Sequence, residues 1–121
     1  MKIYGREIRF RRTVGATCDI ADLCPDKDIS RIGEVMNGGT TRSQFRFIYN
    51  FIMALNKGYE DAEQFKNKDH VKQVITFEEL STLDTDEAMA LFKEAMEVFN
   101  GDGKTTVETE KKMEQDAVES A

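Results

Sequence analysis

Apolar positions near the start of the chain alternate with polar ones. Ile8, Phe10 and Val14 fall on one face by period two, leaving Arg9, Arg11 and Thr13 on the other, and Arg12 is the one charge that interrupts the inward row. Met1 to Tyr4 and Glu7 to Val14 flank Gly5-Arg6, which predicts a hairpin with a type II′ loop and Ile3 opposite Ile8. A two-stranded hairpin is not stable alone, so its apolar face must rest on helices.

After Gly15-Ala16 breaks the strand, the period lengthens. Thr17 is placed to cap a short helix with the stripe Ile20, Ala21, Leu23 and Cys24, and Pro25 prevents its continuation. Asp26 to Asp28 reads as a turn. Asp28 then caps a second helix carrying Ile29, Ile32, Val35 and Met36, which stops at Asn37-Gly38-Gly39. Thr41 with Gln44 has the spacing of a capping box ahead of the most apolar stretch, Gln44 to Leu55, which is apolar almost all the way round. That makes it the central helix, closed by Lys57-Gly58. Tyr59 to Val74 fits a ragged helix or a loop equally well. Thr76 with Glu79 opens a short helix containing Phe77, Leu80 and Leu83. Asp84 and Glu87 introduce the clearest series, Ala88, Leu91, Phe92, Ala95, Met96 and Phe99, which stops at Asn100-Gly101.

The expected fold is therefore a small single domain, mainly α with a short N-terminal β-hairpin, over residues 1–100, followed by a flexible acidic tail over 101–121. A chain of 121 residues with 40% apolar content suffices for one modest core. In the tail the large apolar side chains are Val107, Met113 and Val118, and Glu108 to Val118 contains good helix formers that a partner can order.

Charge changes the picture. Residues 1–50 carry nine Lys/Arg against six Asp/Glu, and residues 51–121 carry eight against seventeen. A basic head on an acidic body suits an acidic partner or a head-to-tail neighbour, so homo-oligomers are permitted. No run approaches a membrane span and the first twelve residues lack a signal-peptide core, which points to a cytoplasmic protein without a membrane partner.

Candidate chemistry is sparse. Cys18 and Cys24 are expected as reduced thiols, and the single His70 lies far from both in sequence, so neither a zinc set nor a Cys/His nucleophile is indicated. No cofactor is expected. Gly101-Asp102-Gly103-Lys104 follows a helix rather than a strand and reads as a helix stop, not a phosphate cradle. The row Arg6, Arg9, Arg11 and Arg12 has two readings: a solvated outer face that discourages edge pairing, or a grip for carboxylates or phosphates. Within the binding reading, the acidic remainder favours a protein over nucleic acid.

The start Met1-Lys2-Ile3-Tyr4-Gly5-Arg6-Glu7-Ile8, then Thr13-Val14-Gly15-Ala16 and Ile20-Ala21-Asp22-Leu23-Cys24-Pro25, resembles the tail assembly chaperones of long-tailed phages and prophages. The resemblance covers mainly residues 1–36. It implies a non-enzymatic, mainly helical protein that associates with the tape-measure protein and tail-tube subunits during assembly. It also implies a longer product made by ribosomal frameshifting, for which an adenine-rich run encoding Lys111-Lys112 is a candidate site. The family carries no site to transfer residue by residue. Periodicity instead nominates Phe47, Phe51 and Met53 as adaptable protein-binding surface, with burial in the core as the competing reading of each. Arg9 and Arg11 are the charged candidates. The alternative function is a small adaptor or regulator that binds an acidic protein or nucleic acid through the arginine row.

Overall fold

A computed structural model describes residues 1–101. The hairpin is shorter and turns earlier than its sequence suggests. Strand β1 (Lys2–Ile3) pairs antiparallel with β2 (Arg6–Glu7), Lys2 opposite Glu7 and Ile3 opposite Arg6. Tyr4 and Gly5 both take positive φ, 48° and 80°, as a type I′ loop requires, so the expected Gly5-Arg6 loop is corrected to Tyr4-Gly5. The slip is two residues along the second strand. Because side chains alternate with period two, Ile3, Ile8 and Phe10 still point inward and are buried.

Beyond β2 the chain runs extended without a partner strand, and Arg11 donates its N–H to the carbonyl of Leu55 at 3.0 Å. The first helix begins earlier than expected: α1 spans Val14–Ala21. Thr13, not Thr17, is its cap, with Oγ1 accepting from the Ala16 N–H at 3.1 Å, while the Thr17 hydroxyl donates back to the Thr13 carbonyl at 2.9 Å. Val14 is thus no inward strand residue; it is 83% exposed on the first turn of α1. Pro25–Lys27 and Ile29–Arg31 form two 3-10 turns, and Asp28 caps the second through the Ser30 N–H. Helix α2 (Ile32–Asn37) follows, and Ile29, Ile32, Val35 and Met36 pack half-buried against the core.

Helix α3 (Thr41–Lys66) is the spine, 26 residues long. Its capping box uses Thr40 and Ser43 rather than Thr41 and Gln44; Gln44 instead donates to the Gly38 carbonyl at 3.2 Å. The helix does not close at Lys57-Gly58. Gly58 lies inside it because the extended segment crosses there: a Cβ at this position would sit 2.6 Å from the Arg11 carbonyl oxygen and 2.9 Å from Thr13 Oγ1. Glycine serves close approach here, not termination. Helix α1 packs on one side of α3 and α5 (Thr85–Phe99) on another, with the short α4 (Phe77–Ser81) nearby.

The capping box of Thr76 and Glu79 and the Asp84 start of α5 are as the sequence predicts. Phe51, fully buried, centres an aromatic cluster with Phe47, Phe92 and Phe99 at 5.2–5.8 Å between ring centroids. Of the ambiguous stretch Tyr59 to Val74, residues 59–66 continue α3, and the rest belongs to a non-helical strap, residues 67–76, tied to α3. The buried Asn56 donates to the Arg9 carbonyl at 2.8 Å and accepts from the Ile75 N–H at 2.7 Å. Glu60 accepts from the Gln73 N–H at 2.8 Å and meets His70 Nε2 at 3.1 Å. The architecture is mainly α with a two-stranded N-terminal hairpin, as expected. No helix among the described residues is long and apolar enough to cross a membrane. The expected tail, with Val107, Lys111, Lys112, Met113 and Val118, lies outside the described residues.

Candidate functional site

The sequence-nominated residues divide by burial. Phe47 and Phe51 face inward and offer no accessible surface; they are core. Met53 is half-buried beside a small groove lined by Asp19, Leu23, Asn50, Ala54, Lys57 and Val74. An all-round apolar helix places some aromatics inside and some outside, and periodicity alone cannot assign which.

The arginine row is largely drawn into the fold. Arg6 makes a two-pronged contact with the Glu79 carboxylate at 3.1 and 3.2 Å. Arg12 donates to the Phe99 carbonyl at 2.7 Å and lies 4.2 Å over the Phe99 ring, so it caps the C-terminal end of α5 and stacks on it at once. Arg9, half-buried, lies near the Tyr59 phenol. Burial pushes that phenol above its usual range, Glu63 adds to the rise, and Arg9 opposes it. Arg11 is half-buried, and its side chain is also engaged. Arg6 and Arg12 fasten the N-terminal segment to α4 and α5, so the row does not form one free face.

Exposed apolar surface gathers elsewhere. On α3, Arg42, Phe45, Arg46 and Tyr49 share one face by helical spacing, and α4 brings Phe77 and Ser81 against it. Tyr49 meets Phe77 edge-on at 5.4 Å, and Phe45 lies 6.1 Å from Tyr49. The result is an open groove of ≈ 590 Å³ with an aromatic floor, where Phe77 remains 50% exposed. Arg42 and Arg46 are exposed, and among the described residues neither guanidinium has an ion-pair or hydrogen-bond partner. That contrasts with Arg6, Arg12 and Arg31, the last held by Asp26 and Glu34. An aromatic floor rimmed by unpaired guanidinium groups suits an apolar side chain flanked by carboxylates. The sequence signal was the i, i+4 pair Arg42/Arg46 interleaved with the i, i+4 pair Phe45/Tyr49; Phe77 joins only through the fold.

A second groove at the far end of α3 is lined by Lys57, Asp61, Gln64, Phe65, Lys68 and Lys72. Lys57 and Lys72 are both occupied by Asp61, at 2.5 and 3.2 Å. Hydrogen bonding from Lys57 holds the Asp61 carboxyl below its usual range, with Lys72 assisting against partial burial. Both cysteines are free thiols: Cys18 exposed, Cys24 buried with Sγ donating to the Ile20 carbonyl at 3.4 Å. Burial, and then Asp28, pushes the Cys24 thiol up. His70 sits on Glu60. Among the described residues no three His, Cys, Asp or Glu side chains cluster as a metal site. No family model matches the chain, nor does any curated protein or solved structure.

Proposed function

We propose that this chain is a non-catalytic tail assembly chaperone of a long-tailed phage or prophage, which binds the tape-measure protein and tail-tube subunits in the host cytoplasm. The observation that carries the reading is the open aromatic groove between α3 and α4 with two arginines that have no partner among the described residues. It is contact surface held on a rigid helix, of the kind that takes an amphipathic helical segment. The N-terminal resemblance over residues 1–36 supplies the biological setting, and the mainly α fold with its N-terminal hairpin agrees with it. A nucleic-acid adaptor acting through the arginine row gains nothing from a geometry in which Arg6 and Arg12 are engaged inside the molecule.

Co-expression with the long coiled-coil protein encoded just downstream, followed by pull-down and light scattering, tests the reading. Soluble co-purification that is lost in folded Phe45→Ser, Tyr49→Ser and Phe77→Ser variants supports it. Failure of the well-folded wild-type chain to bind or solubilise that protein refutes it. Phe47 and Phe51 are unsuitable for such a test, since a polar residue there empties the core.

A further inference from the structure

The two 3-10 turns and α2, residues 25–39, are joined to the rest of the molecule by apolar contact alone. None of these residues is buried, whereas α1, α3, α4 and α5 each bury at least one. Their polar contacts close on themselves. Asp28 accepts from the Ser30 N–H and hydroxyl, and the Asp28 N–H donates to the Pro25 carbonyl at 3.0 Å. Arg31 grips the Glu34 carboxylate at 2.6 and 2.8 Å and also pairs with Asp26. Among the described residues, no hydrogen bond or ion pair from residues 28–37 reaches α1, α3, α4 or α5. What holds the segment down is the half-buried row Ile29, Ile32, Val35 and Met36, packed towards α1 and α3. The strap over residues 67–76 differs, since Asn56 and Glu60 tie it to α3 by hydrogen bonds.

Both ends of the segment are joints. Asp26 and Lys27 sit at φ 56°, a conformation that residues with side chains keep only while their surroundings enforce it. At the other end Gly38-Gly39 are the only adjacent glycines in the chain, and Gly39 has φ 85°. The next tie to α3 falls on that joint, where Gln44 donates to the Gly38 carbonyl at 3.2 Å. We propose that residues 25–39 form a flap that opens from α1 and α3 while the rest of the fold stays intact. A segment with no buried side chain and no crossing hydrogen bond opens at far lower cost than the core. Opening bares Ile29, Ile32, Val35 and Met36 together with the surface beneath them, and closing withdraws both. The chain thereby exposes and retracts apolar surface without unfolding, and this does not rest on the chaperone reading.

Cys24 stands at the root of the flap and reports on it. It is buried, its carbonyl accepts from the Lys27 N–H at 3.0 Å, and Asp28 lies close enough to add to the effect of burial on its thiol. In the Cys18→Ser chain, thiol labelling of Cys24 is followed across a urea series beside far-UV circular dichroism. The flap exposes a small part of the surface that unfolding exposes, so Cys24 becomes reactive while the dichroism is still native, with at most about a third of the urea dependence of global unfolding. Val35→Ala thins the half-buried row and speeds that labelling about threefold to tenfold. Ala95→Gly in α5 lowers the global midpoint and leaves the low-urea labelling rate unchanged. Labelling that follows the dichroism transition with its full slope overturns the proposal, as does labelling accelerated by Ala95→Gly. Labelling indifferent to Val35→Ala overturns it too, since Cys24 is then uncovered by the end of α1 rather than by the flap.

Discussion

Gly58 offers the sharpest test of the fold, because two readings of one residue predict opposite signs. Sequence places it at the end of a helix; the structure places it in the middle of α3, beneath the extended segment that leads into α1. Gly58→Ala in an uncrowded helix interior gains about 1 kcal/mol from helix propensity. Here the new methyl meets the Arg11 carbonyl oxygen at 2.6 Å, Thr13 Oγ1 at 2.9 Å and Ala16 Cβ at 3.2 Å. That carbonyl cannot easily withdraw, since the Arg11 N–H is bonded to Leu55 and the Thr13 hydroxyl is the cap of α1. Overpacking of this kind costs about 1–3 kcal/mol, and because the nearest atom is backbone the cost falls in the upper part of that range, leaving a net loss of up to roughly 2 kcal/mol after the propensity gain. For a domain of this size, each kcal/mol lowers Tm by about 4–8 °C. Gly33→Ala is the control: it lies in α2 with its nearest foreign atom at 3.9 Å, so the same exchange should stabilise by about 0.4–1 kcal/mol. Urea and thermal unfolding followed by circular dichroism read both. A Gly58→Ala protein that melts at or above wild type, with the control behaving as stated, refutes the close crossing.

Asn56→Ala strips partners from the Arg9 carbonyl and the buried Ile75 N–H, and should cost about 2–4 kcal/mol with faster hydrogen exchange at Ile75; a loss below about 0.5 kcal/mol contradicts the tie. Iodoacetamide on the native chain should modify the exposed Cys18 and spare Cys24 until denaturant is added, as read by peptide mass mapping; equal rates would count against the burial of Cys24. The folded-state pKa of Asp61 is depressed, so its contribution is complete above the ordinary carboxylate range and is lost as pH falls through the folded value. Asp61→Asn should therefore flatten the acid limb of the stability profile by about 1 kcal/mol or less, because the pair is partly exposed, and salt should shrink the difference further; an unchanged limb refutes it.

The arginine row shows how far charge patterning reaches. Four arginines in seven residues were evident at once, yet Arg6 is taken by Glu79 and Arg12 by Phe99, residues more than seventy positions away. Phe47 and Phe51 teach the same lesson from the apolar side: composition marked the helix as rich in contact surface, while its half-buried part is Phe45, Tyr49 and Met53, with Phe77 added from α4.

What the sequence determined by itself was local. Asp28, Thr76 and Asp84 begin their helical segments because a short polar side chain or its capping partner answers backbone N–H groups a few residues away, and that bond needs no distant neighbour. The 3.6-residue series of α5 and the inward alternation of Ile8 and Phe10 are equally local, and the alternation survived a two-residue slip of the hairpin. Tertiary structure decided which face of α3 is covered, why Gly58 continues a helix instead of ending it, and where Arg42 and Arg46 meet an aromatic floor. Each of those depends on segments remote in sequence arriving within a few ångströms, and the free energy of that contact overrides local preference.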